Sequence, residues 1–237
     1  MKATAIVLAG GSGKRMNSSV KKQFLEIDGK PLLYYSLAAF EESFVNEVVL
    51  VASLEDMEYC QKEIVEKFGL KKVVKIVPGG KERYHSVANG VMAAEECDYI
   101  FIHDGARPFV TGDMLLRLLK EVQFCGACVA GMPVKDTIKI ADTEGFIETT
   151  PRRDLVWTIQ TPQVFSYTLI KKAYECLIKE ETSLIEKGIS VTDDAMVVET
   201  LLGERVKLVE GSYKNIKITT PEDISVAEGF LREKKKV

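Results

Sequence analysis

The stretch ATAIVLAGGSGKRM, residues 3–16, decides the fold. Its first seven residues are apolar and rich in β-branched or small side chains, which predicts a buried strand. The run passes straight into Gly10, Gly11 and Gly13, where a chain without Cβ atoms can approach a bound group closely. Successive backbone N–H groups in such a turn form a concavity for anions. Two common glycine-loop patterns fail here. A P-loop needs Ser or Thr after the lysine, but Arg15 follows Lys14; the dinucleotide fingerprint needs a third glycine where Met16 stands. A plain structural turn remains open until the cations are counted. Arg15 closes the loop and Lys22 follows in VKKQF, so a guanidinium and an ammonium stand beside the glycines, matching a polyphosphate.

Outward from this strand, the chain alternates short apolar runs with amphipathic stretches. The runs begin at Ala3, Glu47, Val73, Asp98, Ala127, Val206 and Asn215, and predicted helices lie between them, ending with one announced by Thr220, Pro221 and Asp223. Near-continuous hydrophobicity suits a sheet covered on both faces, and the alternation predicts a doubly wound α/β domain, mixed and mostly parallel. Ligands of such sheets sit at the carboxyl ends of the strands. TIKIADTEGFIETT, residues 137–150, breaks the rhythm: it alternates around a Thr-Glu-Gly turn and reads as a β-hairpin. With no sheet to join, and marginal alone in water, it is expected to project as an arm and pack on a second subunit. One domain over residues 1–237, with 134–154 as a dimerisation arm, follows.

Composition narrows the function classes. The 237 residues suffice for one large core, with 46% hydrophobic and 28% charged residues. The balance of 32 basic against 35 acidic residues gives a net charge of −3, which argues against a nucleic-acid or membrane-surface protein. No run reaches the length of a membrane span, and the N-terminus reads as a strand with neither a signal nor a transit peptide, so a bacterial cytoplasmic location is expected. Five cysteines, an odd number, lie in apolar segments. Cys125 and Cys128 have C-x-x-C spacing, but no second pair accompanies them and the only histidines are His85 and His103, so reduced core thiols are expected.

Two further loops carry polar chemistry. PGGKERYHSV, residues 78–87, links the third run to a helix, and its glycines and Ser86 either meet a base and ribose or form a plain βα turn. HDGARP, residues 103–108, ends a buried strand. An unpaired carboxylate there is costly, so Asp104 needs a cation: hydrated Mg2+ shared with substrate phosphates, or Arg107 as a structural partner. His103 reads as a packed strand-end residue and not as a base.

The LAGGSGKRM loop followed by Lys22 resembles the signature of sugar-phosphate nucleotidyltransferases. With PVKDTIK (133–139), PRRDLVWTIQTPQVF (151–165) and NIKITTPED (215–223), the resemblance runs end to end and is to the 2-C-methyl-D-erythritol 4-phosphate cytidylyltransferases. It implies a Rossmann-like fold of the nucleotide-diphospho-sugar transferase type and transfer of CMP from CTP to a polyol phosphate with release of pyrophosphate. Arg15, Lys22 and Lys217 would bind the CTP phosphates, catalytic together with Asp104. Ala9, Gly10 and Gly11 would line the nucleotide, and Gly80, Lys81 and Ser86 would contact cytosine and ribose, although the family often has an acid where Lys81 stands. Asp104, Arg107, Thr161 and Thr192 would face the acceptor, while Thr137 and Arg153 would reach it from the partner of a homodimer. Asp104 would be the metal carboxylate for Mg2+, directly or through water. The family's HDAAR is HDGAR here, a small-for-small change expected to be harmless. Ribitol-5-phosphate cytidylyltransferases share several of these elements, and a non-catalytic nucleotide-binding protein of the same fold is the third reading; PVKDTIK and the Arg-Arg-Asp-Leu-x-Trp segment favour methylerythritol phosphate. The acceptor explains the lack of a catalytic base: a phosphate monoester, with its second pKa near ~6, is already an anionic nucleophile at neutral pH.

Overall fold

The computed structural model describes residues 1–11 and 21–234, and the statements below concern these residues. The chain opens with β1 (Ala3–Leu8), then a small antiparallel pair, β2 (Glu26–Ile27) and β3 (Lys30–Pro31), which leads into α1 (Leu32–Glu41). Next come β4 (Glu47–Ala52) and α2 (Met57–Tyr59), continued by a π-helical stretch, Cys60–Glu66. β5 (Val73–Pro78), α3 (Arg83–Ala93), β6 (Tyr99–Asp104), α4 (Gly112–Cys125) and β7 (Ala127–Pro133) complete the first half of the winding. The hairpin β8 (Ile140–Ala141) and β9 (Ile147–Thr149) follows, then β10 (Trp157–Ser166), α5 (Tyr167–Glu186), α6 (Asp194–Leu202), β11 (Lys207–Glu210) and α7 (Pro221–Lys234).

Seven strands form one sheet in the order β11-β7-β10-β6-β1-β4-β5. β10 runs antiparallel to β6 and β7, and the other pairs are parallel, as expected for a mixed, mostly parallel sheet. The period-two alternation of β1 divides the core. Ala5 and Val7 pack with Leu33, Phe40 and Met114 from α1 and α4, while Ile6 and Leu8 pack with Val87, Ile170 and Tyr174 from α3 and α5. Burial on both faces is what makes the strands near-continuous apolar runs. No helix among the described residues is long and apolar enough to cross a membrane.

The winding fixes where a ligand can sit. From β1 the chain goes out through β4 to β5, then returns to place β6 on the other side of β1. This reversal opens a crevice at the carboxyl ends of β1 and β6, where Leu8 lies opposite Asp104.

Two expectations are corrected. NIKIT, read as a seventh strand, is irregular and joins no sheet; it lies beside the end of β6, with the Ile218 N–H donating to the Ala106 carbonyl at 2.9 Å. The missing strand is β10, whose polar residues and Pro162 obscured it in the sequence. Cys125, expected in the core, is exposed at the last position of α4, while Cys128 is buried in β7 and burial pushes its thiol pKa up. The hairpin is a separate two-stranded sheet, exposed along both strands. Its turn is pinned by Asp142, whose carboxylate accepts from the N–H groups of Glu144 and Phe146, both at 2.9 Å.

Candidate active site

A cleft of about 380 Å3 occupies the crevice. Ala9, Gly10 and Gly11 line it together with Gly80, Lys81 and Ser86, and Lys22 and Lys217 contribute cations. Arg15 lies outside the described residues. The choice between the two lysines of VKKQF is settled by their neighbours: Lys21 turns to Glu55 and to Asp56 (2.8 Å), while Lys22 lines the cleft.

The Gly80 loop is braced from inside. The Gly80 N–H donates to Ser86 Oγ at 3.0 Å, and that hydroxyl donates to the Glu82 carbonyl at 3.3 Å. A Cβ at position 80 would lie 2.2 Å from the His85 Cβ, so only glycine lets the loop fold this tightly onto the first turn of α3.

A second cavity, about 330 Å3, adjoins the first and contains Arg107, Thr161 and Thr192 in its lining. Arg83, Asp104 and Lys217 line both cavities. Asp104, at the tip of β6, is surrounded by cations: Lys217 Nζ at 2.7 Å, Arg83 Nε at 3.4 Å and Arg107 Nε at 3.9 Å. Burial alone would push the Asp104 carboxyl up; the guanidinium of Arg83 first, then Lys217 and Arg107, hold it well below the usual carboxylate range. It is therefore a fixed negative charge under a positive rim.

Local packing explains how each group is aimed. Ile216 and Ile218 flank Lys217 and pack in the small apolar cluster with Ile27, Leu32 and Ala227. Asn215 anchors the same segment, its amide donating to Gln160 Oε1 (3.1 Å) and to the Thr161 carbonyl (2.9 Å). A register shift of β10 against β7 between Ile159 and Gln163 brings Gln160 and Thr161 to the site. Arg107 is tethered by the Asn215 carbonyl at 2.9 Å, and burial lowers its pKa against the pull of Asp104.

His103 behaves as the packed residue expected from the sequence. Its Nε2 lies 3.0 Å from the Arg107 carbonyl, which can only accept, so that nitrogen carries the proton. Nδ1 then accepts from the Thr161 hydroxyl at 3.0 Å, and Thr161 Oγ1 accepts from the Asp104 N–H at 3.0 Å. Burial lowers the His103 pKa to about 4, so the ring is neutral near pH 7 and both nitrogens are engaged.

Two expected acceptor contacts lie elsewhere. Thr137 and Arg153 belong to the arm and line neither cavity of their own chain. Three residues to which the sequence assigned no role are central: Arg83, the buried Asp194 that receives both its terminal nitrogens at 2.8 Å, and Tyr174, whose hydroxyl donates to Asp194 at 2.5 Å. The available signal was position, since Arg83 opens a helix directly after a strand end and therefore faces the crevice.

Comparison with known proteins agrees with this geometry. The family model for 2-C-methyl-D-erythritol 4-phosphate cytidylyltransferase matches residues 3–233. A protein of that name from Lachnoclostridium phytofermentans is 47% identical over 232 residues, 98% of this chain and 97% of the relative. Another from Caldanaerobacter subterraneus is 48% identical over 98% of this chain and all of its own. Among solved structures, 4-diphosphocytidyl-2C-methyl-D-erythritol synthase from Anaerococcus prevotii superposes with a TM-score of 0.82 at 33% identity, covering 98% of this chain and 96% of that one. The Thermus thermophilus cytidylyltransferase gives 0.74 at 30%, covering 98% and 100%. With the cleft at the sheet reversal and near full-length identity approaching one half, the chain belongs to the 2-C-methyl-D-erythritol 4-phosphate cytidylyltransferase family.

Proposed function

We propose that this chain transfers CMP from CTP to 2-C-methyl-D-erythritol 4-phosphate, giving 4-diphosphocytidyl-2-C-methyl-D-erythritol and pyrophosphate in isoprenoid biosynthesis. The observation that carries the reading is the pair of cavities meeting at Arg83, Asp104 and Lys217. Each holds one reactant: CTP lies along Ala9, Gly10, Gly11, Gly80, Lys81 and Ser86, and the acceptor lies against Asp104, Arg107, Thr161 and Thr192.

The reaction joins two polyanions, so its barrier is charge repulsion and the build-up of charge on the α-phosphate and leaving pyrophosphate. Arg15, Lys22 and Lys217 oppose both by holding the phosphates in line. The acceptor phosphate is an anion at neutral pH and attacks without a protein base, which leaves the buried His103 to its structural work.

A divalent ion fits this donor set as a companion of the substrate. No group of three or more His, Cys, Asp or Glu side chains among the described residues could cage one. Asp104 offers a single carboxylate, and among the described residues its Oδ1 has only the long 3.4 Å contact from Arg83, leaving capacity to hold Mg2+ directly or through water. When bound, Mg2+ supplies Lewis-acid charge to the triphosphate oxygens.

We take residues 1–237 as one cytoplasmic nucleotidyltransferase domain with 134–154 as the dimerisation arm. Ile138, Ile140, Phe146, Ile147 and Leu155 are exposed on or beside the arm, an apolar set that suits a second subunit. Thr137 and Arg153 then complete the acceptor site of the partner. The test is pyrophosphate release across CTP, UTP and ATP with methylerythritol phosphate, ribitol 5-phosphate and glycerol 3-phosphate. Turnover confined to CTP with methylerythritol phosphate is expected. A preference for ribitol 5-phosphate would reassign the acceptor, and CTP binding without turnover on any acceptor would remove the enzyme reading.

A further inference from the structure

We propose that Arg83 contacts the reacting phosphates, and that Asp194 and Tyr174 are the positioning residues that aim it; the inference rests on the functional reading above. Reactants seated in adjoining cavities can exchange a group only across the wall the cavities share. That wall holds Arg83, Asp104 and Lys217, and Arg83 is the one with no role assigned so far.

The way Arg83 is held separates it from an ordinary surface cation. Nη1 and Nη2 donate to the two oxygens of Asp194, each at 2.8 Å, in the paired geometry that only a guanidinium provides. Asp194 has no solvent exposure, opens α6, and receives the Tyr174 hydroxyl from α5 at 2.5 Å. Three elements, α3, α5 and α6, therefore fix one side chain. Asp194 lines neither cavity, so the counter-charge stands behind the guanidinium while the cation faces the reactants.

The remaining donors point to a ligand. A guanidinium has five N–H groups. Two are spent on Asp194 and one points at Asp104 across 3.4 Å; the other two have no partner among the described residues, and the side chain is 31% exposed. Preorganised donors beside the α-phosphate stabilise the charge that develops there without reorganising during reaction. Burial opposes the Arg83 charge, but the Asp194 carboxylate more than offsets it and keeps the group protonated.

The competing account is a purely structural pair tying α3 to α6. Arg83→Met alone cannot decide, because it strands a buried carboxylate and destabilises the fold in either account. The triple variant Arg83→Met/Asp194→Leu/Tyr174→Phe replaces the network with apolar groups of similar size, which buried ion pairs commonly tolerate. We expect it to melt cooperatively near the wild-type midpoint and to lose more than about tenfold in kcat/KM, since a transition-state contact is gone. A folded triple variant with a smaller loss overturns the proposal. Should the triple variant fail to fold, Arg83→Lys carries the test: it leaves a charge for Asp194 but cannot reproduce the fork, and the same threshold of about tenfold applies. For the positioning role, Tyr174→Phe should lower kcat by about threefold or more with the KM for CTP unchanged; an unchanged kcat removes Tyr174 from the proposal. Wild-type protein is assayed alongside with CTP and methylerythritol phosphate, and its inactivity would instead count against the functional reading.

Discussion

Lys217→Ala separates catalysis from stability more cleanly than other substitutions in the site. Its ammonium is the shortest ion-pair partner of Asp104, at 2.7 Å, yet its side chain is 36% exposed. Removing it leaves Asp104 with Arg83 at 3.4 Å and Arg107 at 3.9 Å, so the buried carboxylate keeps its compensation. The backbone is held independently by Ile218 and by the Asn215 amide, so the segment stays in place. The stability cost is then that of a solvent-screened pair, at most about 1 kcal/mol. For a domain of this size that is a fall of roughly 2–4 °C in melting midpoint. The catalytic cost is that of one preorganised cation, about 2.7–4 kcal/mol or 100- to 1000-fold in kcat. Continuous pyrophosphate release under saturating substrates, with a melt on the same sample, measures both. Turnover within about tenfold of wild type would refute the reasoning. So would a collapse of the melting midpoint large enough to account for the lost activity.

Other consequences follow from the arm, the buried histidine and the tight packing at the loop after β6. Arg153→Ala and Asp104→Ala subunits, each inactive as homodimers, should regain up to about a quarter of wild-type activity when mixed, as random pairing restores one complete site in half of the dimers; no rescue would place Arg153 in its own chain's chemistry. Because burial lowers the His103 pKa to about 4, the unfolded chain binds its proton first on acidification. The stabilisation is full above the unfolded value near 6.5 and is lost as pH falls toward 4, amounting to about 2 kcal/mol between pH 7 and pH 5. Urea unfolding at the two pH values should show this difference, and His103→Gln should flatten it. Asp104 acts in a lower window: its depressed pKa gives stability that is present above about pH 4 and lost below it. Gly105→Ala, which recreates the family's HDAAR, should destabilise by about 1–3 kcal/mol in chemical denaturation, since the new Cβ would lie 2.8 Å from Leu33 Cδ1 and 2.9 Å from the Leu8 carbonyl. The glycine is small-for-small by type, but Leu33 has taken the space.

What the sequence disclosed depended on whether a residue's role is local. β1, β4, β6 and β7 were legible because both faces are buried and composition alone marks them, whereas β5, a half-exposed edge strand, was legible from its β-branched run Val-Val-Lys-Ile-Val. The glycines of the cleft and Asp104 were legible because they lie at or just beyond strand ends. β10 was not: its interior reads Thr-Ile-Gln-Thr-Pro-Gln, and it is a strand because those polar groups find partners far along the chain. Gln163, for example, donates to Asp193 and accepts from the Ala195 N–H, both at 2.9 Å. NIKIT failed in the opposite sense. Its alternation records Ile216 and Ile218 packing into a side cluster while Lys217 faces the cleft, the same period two without a sheet. Arg83 and Asp194 lie 111 positions apart, so their pairing is invisible to any local pattern.

The central claim is that fixed positive charge at the carboxyl ends of β1 and β6 gathers two phosphorylated reactants. A crystal structure of the protein with CTP, Mg2+ and methylerythritol phosphate tests it most directly. The account predicts triphosphate oxygens within hydrogen-bond reach of Lys22 and Lys217, and the acceptor phosphate meeting the α-phosphate beside Asp104. Phosphates bound elsewhere, with those lysines directed into solvent, would contradict it.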